Sequence, residues 1–122
     1  MSKIKPHRSA GIRMTPTFFH ILLSLVDGER HGYALMQEIA DRTDGAIRLG
    51  PGSLYWSLNR LQETGLIEET ATHPDPDNCD ERRRYYRLTG SGSKLLTQEA
   101  EALAKIVYLA IAKKVIRSPG LA

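Results

Sequence analysis

Ser53, Trp56, Asn59 and Arg60 recur at three- and four-residue steps in the stretch Gly50-Pro51-Gly52-Ser53-Leu54-Tyr55-Trp56-Ser57-Leu58-Asn59-Arg60-Leu61. That spacing puts them on one side of a helix, with Leu54, Leu58 and Leu61 on the other and Tyr55 on the flank. A hydroxyl, an indole, a carboxamide and a guanidinium so arranged can read base edges and hold phosphates. The plain alternative is a solvated helix face. Trp56 fits either DNA sugar and thymine methyls or the N-terminal arm of its own chain. Tyr33 stands in the first turn of an expected helix, where free backbone N–H groups favour an anion; simple packing of its ring is the competing reading. Further on, Arg82, Arg83, Arg84 and Arg87 crowd together after Asp75, Asp77, Asp80 and Glu81. Strand alternation places Arg83, Tyr85 and Arg87 on one face and Arg84, Tyr86 and Leu88 on the other. Arg82 and Arg83 are the better phosphate candidates, and Arg84 is expected to pair with an acid.

Catalysis finds no such support. The chain lacks a GxSxG elbow, a GxxxxGK[ST] loop, an HExxH pair and a Rossmann glycine pattern. Ser53 follows glycines but has no base placed to activate it. Asp75-x-Asp77-x-Cys79 begins like a calcium loop, yet Asp80 stands where glycine is required and Tyr86 where glutamate is. His73 and Cys79 have no second Cys/His cluster to complete a zinc site. Neither metal nor cofactor is expected.

The elements that must carry these residues follow from periodicity and capping. Thr15-Pro16 starts a first helix to about Leu25 or Val26, apolar around most of its circumference. A second helix spans roughly Gly32 to Thr43, with Tyr33, Leu35, Met36, Ile39 and Ala40 at helical spacing. The third opens at Gly50-Pro51 and closes before Gly65, a left-handed cap. Leu66 to Thr70 reads as a strand, Ala71 to Arg82 as a loop that swings clear of a duplex, and Arg83 to Leu88 as a second strand. Thr89 caps a last helix from about Gly90 to Ile116, about 40 Å long. Leu96, Ala100, Leu103, Val107, Ala110 and Lys114 form a heptad-like seam along it, beside a second stripe of Leu95, Ala102, Ile106 and Leu109. One stripe suits the chain's own core and the other a second chain, so a homodimer is expected; the alternative is one broad stripe folded on a single core.

At 122 residues and 41% hydrophobic content the chain suits one small domain. A basic arm over residues 1–14, a DNA-binding unit over 15–89 and a dimerisation helix over 90–122 are expected. The net charge of +3 is uneven: Lys3, Lys5, Arg8 and Arg13 precede the first acid, taking four of the 17 basic residues and leaving 13 against 14. No membrane span, no apolar secretion signal and a single cysteine, Cys79, suggest a cytoplasmic protein.

Three helices, a strand, a basic wing and a strand make a winged helix-turn-helix, in which the third helix enters the major groove. The fold class is therefore mainly α with a small β-hairpin, plus the long terminal helix. The chain also resembles the PadR-like transcriptional regulators. The matching residues are Thr15-Pro16, His31-Gly32-Tyr33 through Gln37-Glu38-Ile39, Gly50-Pro51-Gly52-Ser53-Leu54-Tyr55, Leu58-Asn59-Arg60-Leu61, Gly65-Leu66-Ile67 and Asp80 to Thr89. Gly50, Ser53 and Trp56 depart from residues common in that family. The resemblance implies a dimeric repressor of the short form with one terminal helix, acting on an operator. It also implies phenolic or other aromatic or hydrophobic effectors, for which Phe18, Phe19 and Tyr108 are the candidate lining at the junction of the first and last helices. A winged-helix module that binds protein instead, with Trp56 as anchor, is the alternative.

Overall fold

The computed structural model describes residues 11–75 and 78–118, the side chains of 71–82 excepted. Helix α1 (Pro16–Ser24) begins where the Thr15 hydroxyl accepts the Phe18 N–H at 3.2 Å and proline occupies the first turn. A 3₁₀ turn (Leu25–Asp27) leads to the two-residue strand β1 (Arg30–His31). Helix α2 (Gly32–Arg42) is capped by His31, whose Nδ1 accepts the Ala34 N–H at 3.2 Å. Helix α3 (Pro51–Glu63) ends at Gly65 with φ of 78°, where the Gly65 N–H reaches the Gln62 carbonyl and the Leu66 N–H the Leu61 carbonyl. This is the left-handed cap expected from the glycine.

The wing differs from the sequence expectation. Strands β2 (Ile67–Asp75) and β3 (Asn78–Leu88) form a long antiparallel hairpin through most of the stretch read as a loop. Backbone pairing is indifferent to the acidic composition that suggested a loop, and Pro74 is tolerated because β2 lies at the sheet edge. The register shifts between Glu69 and Thr72 and again at Pro74 and Asp75. The sheet order is β1-β3-β2, with Arg30 opposite Tyr86 and His31 opposite Tyr85. The third strand, β1, is too short to leave a period in the sequence.

Helix α4 (Gly90–Ala112) stops four residues short of Ile116. Lys114 takes φ of 64°, and the Lys114 and Val115 N–H groups return to the Ile111 and Ala110 carbonyls. This is a glycine-type stop made by a lysine, hence unannounced. Its 23 residues make a rod of about 34 Å. At the other end, the Thr89 hydroxyl accepts the Gly92 N–H at 3.0 Å and donates to the Gly65 carbonyl at 2.6 Å. Gly92 lies so close to the Leu66 carbonyl that a Cβ there would stand 2.0 Å from the oxygen.

One core joins these elements. Ile21, Leu22, Leu35, Ile39, Leu54, Leu58 and Leu61 are wholly buried, and Leu66, Ile67 and Tyr86 close the wing side. Leu95 and Leu96 join them from α4. Leu96, placed on the dimer seam by the heptad pattern, thus belongs to its own chain's core. The residues called an arm also differ at their inner end, because Ile12 is buried in the core and Met14 packs against it; residues 1–10 lie outside the described residues.

Candidate nucleic-acid interface

The three leucines on the inner face of α3 are inaccessible to solvent, so the helix cannot rotate without exposing them. Each buried leucine favours this orientation by about 2 kcal/mol. The opposite face therefore carries Ser53, Trp56 and Asn59 outward, all exposed. Ser57 is different: it is buried and donates to the Ser53 carbonyl at 2.9 Å.

Trp56 is 63% exposed and stacks on Phe18 of α1, with ring centroids 6.1 Å apart and planes 21° from parallel. Neither the arm nor a duplex is needed to hold the indole at a fixed angle. Beside it opens a cleft of about 610 Å³ between α1 and the start of α3, lined by Thr15, Phe18, Leu49, Gly52, Ser53 and Trp56 among others. Tyr55 turns the other way. Its hydroxyl would stand 3.0 Å from any Cβ at position 32, so the glycine of His31-Gly32-Tyr33 leaves room for α3 to close on the first turn of α2. Tyr33 projects from that same turn, 58% exposed.

Arg60 is committed to its own chain. Its Nη2 donates to the Gly11 carbonyl at 2.7 Å, and its Nη1 lies 3.5 Å from the Glu63 carboxylate. On the wing, Arg83 Nη1 sits 3.1 Å from His31 Nε2, and Tyr85 meets the His31 ring edge-on. Arg87 donates to Glu68 at 2.6 Å. Arg84 is exposed, whereas Tyr86, on the same strand face, is buried. Burial, with Glu69 nearby, pushes the Tyr86 phenol above its ordinary pKa. The side chain of Arg82 lies outside those described, as do those of His73 and Cys79.

Behind the interface a polar clamp joins α1 to α2. Arg42 donates to the Ser24 hydroxyl at 2.7 Å and meets His20 Nδ1 at 3.0 Å and Glu38 at 3.7 Å, while Arg30 donates to Glu38 at 2.6 Å. Burial, and then the Arg42 charge, lower the His20 pKa.

The residues expected to line one effector cavity do not converge within the chain. Phe18 is turned toward Trp56, and Tyr108 is 70% exposed well along α4. Phe19 alone borders a groove at the α1–α4 junction, about 350 Å³, shared with Met14, Pro16, His20, Glu99 and Leu103. Beyond that groove α4 exposes Leu103, Ile106, Val107, Tyr108 and Leu109. Among the described residues no helix is long and apolar enough to cross a membrane, and no three metal-binding side chains are grouped.

Sequence reasoning missed the Phe18 stack, the His31 cap and the hold of Arg60 on Gly11. Each joins distant parts of the chain or depends on rotamers, and only the helical phase of α3 was readable beforehand.

Comparison with known proteins places this geometry. The model of the transcriptional regulator PadR-like family matches residues 21–98. Transcriptional regulator Rv3488 of Mycobacterium tuberculosis is 36% identical over 87 residues, which cover 71% of this chain and 75% of that one. A 37.1 kDa protein in transposon TN4556 of Streptomyces fradiae is 38% identical over 86 residues, but the match spans 70% of this chain and only 22% of that larger protein. Among solved structures, a transcriptional regulator from Clostridium thermocellum superposes with a TM-score of 0.64 at 28% identity, covering 81% of this chain and 92% of that chain.

Proposed function

Because the chain belongs to the PadR-like family of transcriptional regulators, we propose that it binds a double-stranded operator as a homodimer and represses the neighbouring genes. The observation that carries this reading is the orientation of α3. Its leucines are fully buried while Ser53, Trp56 and Asn59 face out, next to Tyr33 and Tyr55 at the start of α2 and α3. In this reading Ser53 and Asn59 donate to base edges, Trp56 packs on sugar or thymine methyl, and Tyr33, Tyr55 and the wing arginines Arg82 and Arg83 take phosphates.

Two such helices reach successive major grooves only if the subunits are about 34 Å apart, one turn of the duplex. The exposed stripe Leu103, Ile106, Val107 and Ala110 on α4 supports pairing that sets this distance. An aromatic or hydrophobic effector has a groove at the root of that stripe, beside Phe19 and Leu103. Bound there, it would act by favouring one dimer geometry over another.

The test is a titration of the full chain against duplexes selected from a random pool, repeated across salt concentrations. The expected logarithm of affinity falls linearly with that of salt, by about 0.9 per phosphate contacted. Failure to select any duplex, or binding that ignores salt, would turn the reading toward a protein-binding module anchored on the exposed Trp56.

A further inference from the structure

The inner end of the basic N-terminal segment is fastened beside α3. Ile12 is buried in the core, Gly11 turns with φ of 75°, and the Gly11 carbonyl accepts from Arg60 Nη2 at 2.7 Å. Arg60 follows Ser53 by seven residues and so shares its side of the helix, about 10 Å further along the axis. The chain before Gly11 therefore starts from the face that the proposed function turns toward DNA.

The residues it starts with are Lys3, Lys5 and Arg8, with no acid among the first 26 positions. At no more than about 3.5 Å per residue, Arg8 can extend about 10 Å from Gly11, Lys5 about 20 Å and Lys3 about 28 Å. Those distances span a groove and the phosphates on its far wall. Glu63, the one acid of α3, is already occupied by Arg60.

We propose that this segment is a second DNA-contacting element, moored by Arg60, so that Lys3, Lys5 and Arg8 neutralise phosphates flanking the groove that α3 enters. The inference rests on the reading of α3 as the groove-entering helix. Arg60 is then a positioning residue. It acts through the Gly11 carbonyl and reads no base itself.

The experiment compares the full wild-type chain with the triple variant Lys3→Gln, Lys5→Gln, Arg8→Gln, with Arg60→Ala, and with all four changes combined. Each is titrated across salt with a duplex selected by the wild type and with an unrelated duplex. Neutralising the arm is expected to flatten the salt dependence by about 2 to 3 units of slope per subunit. A tenfold rise in salt would then cost the wild type about 100- to 500-fold more affinity than the triple variant. The loss should be equal on both duplexes, leaving sequence preference intact. Arg60→Ala should flatten the slope part of the way, and should add nothing in the triple background. Thermal melting identifies any variant that unfolds, and Arg60→Lys, which keeps a donor for the carbonyl, should retain the wild-type slope.

An unchanged slope in the triple variant overturns the arm contact. A loss from Arg60→Ala that persists in the triple background, and only on the selected duplex, overturns the mooring role in favour of base reading. A wild type that binds duplex without any salt dependence removes the proposed function as well, which neither of the other outcomes does.

Discussion

Trp56 shows how much a single side chain can decide at this interface. It is the sole tryptophan, held flat against Phe18 and open to solvent. Its fluorescence should change on titration with a selected duplex and stay constant with a random one. Where it meets a thymine, replacing that base with uracil removes one methyl and should weaken wild-type binding about fourfold, since one buried methyl contributes about 0.8 kcal/mol. Trp56→Ala should lose the distinction between the two bases. An equal response of both proteins to uracil at every position would take the indole out of base reading. Gly92 makes the opposite kind of demand, for space rather than contact. With the Leu66 carbonyl 2.0 Å from where a Cβ would be, Gly92→Ala must displace backbone and should destabilise the fold by about 3 kcal/mol in urea unfolding.

Elements depend on caps and clamps. Thr89→Ala removes both the cap of α4 and the bond to Gly65, and is expected to cost about 1–2 kcal/mol in chemical denaturation, with Thr89→Ser recovering most of it. The clamp between α1 and α2 gives the stability a pH dependence. His20 has its folded pKa below the ordinary 6.5, through burial and then Arg42. The fold thus favours the neutral ring, and its contribution is complete above 6.5 and declines as pH falls from there toward the lowered value. A melting series from pH 8 to 5 should show that decline, and His20→Gln should reduce it. The helices themselves were legible, because leucine periodicity, Thr-Pro and Gly65 each have a local physical cause. The wing was misjudged in length because strand pairing leaves acidic side chains free to point outward. The end of α4 was misplaced because Lys114 adopts a conformation that glycine usually signals. At the interface, the outward face of α3 followed from the helical step, while the partners of Arg60 and Arg83 lie 49 and 52 residues away and leave no local pattern.

At the level of the whole molecule, the decisive surface is the uncovered side of α4. Ile106 is 62% and Leu109 54% exposed, on a helix whose first turns are buried in the core. Ile106→Glu together with Leu109→Glu should leave the monomer folded by circular dichroism. The pair should also shift sedimentation to a single-subunit species and abolish binding to a two-site operator, with weak binding to one half-site remaining. A variant that still sediments as wild type would place the subunit contact elsewhere.

The closeness of Gly92 to the Leu66 carbonyl has a mechanical consequence. With no slack between the root of the wing and the base of the terminal rod, a tilt of that rod cannot be taken up at the joint. It must be passed to Leu66, whose N–H closes the end of α3 on the Leu61 carbonyl. A small molecule that changed the splay of the two rods would thereby re-aim both reading heads, with no flexible relay in between.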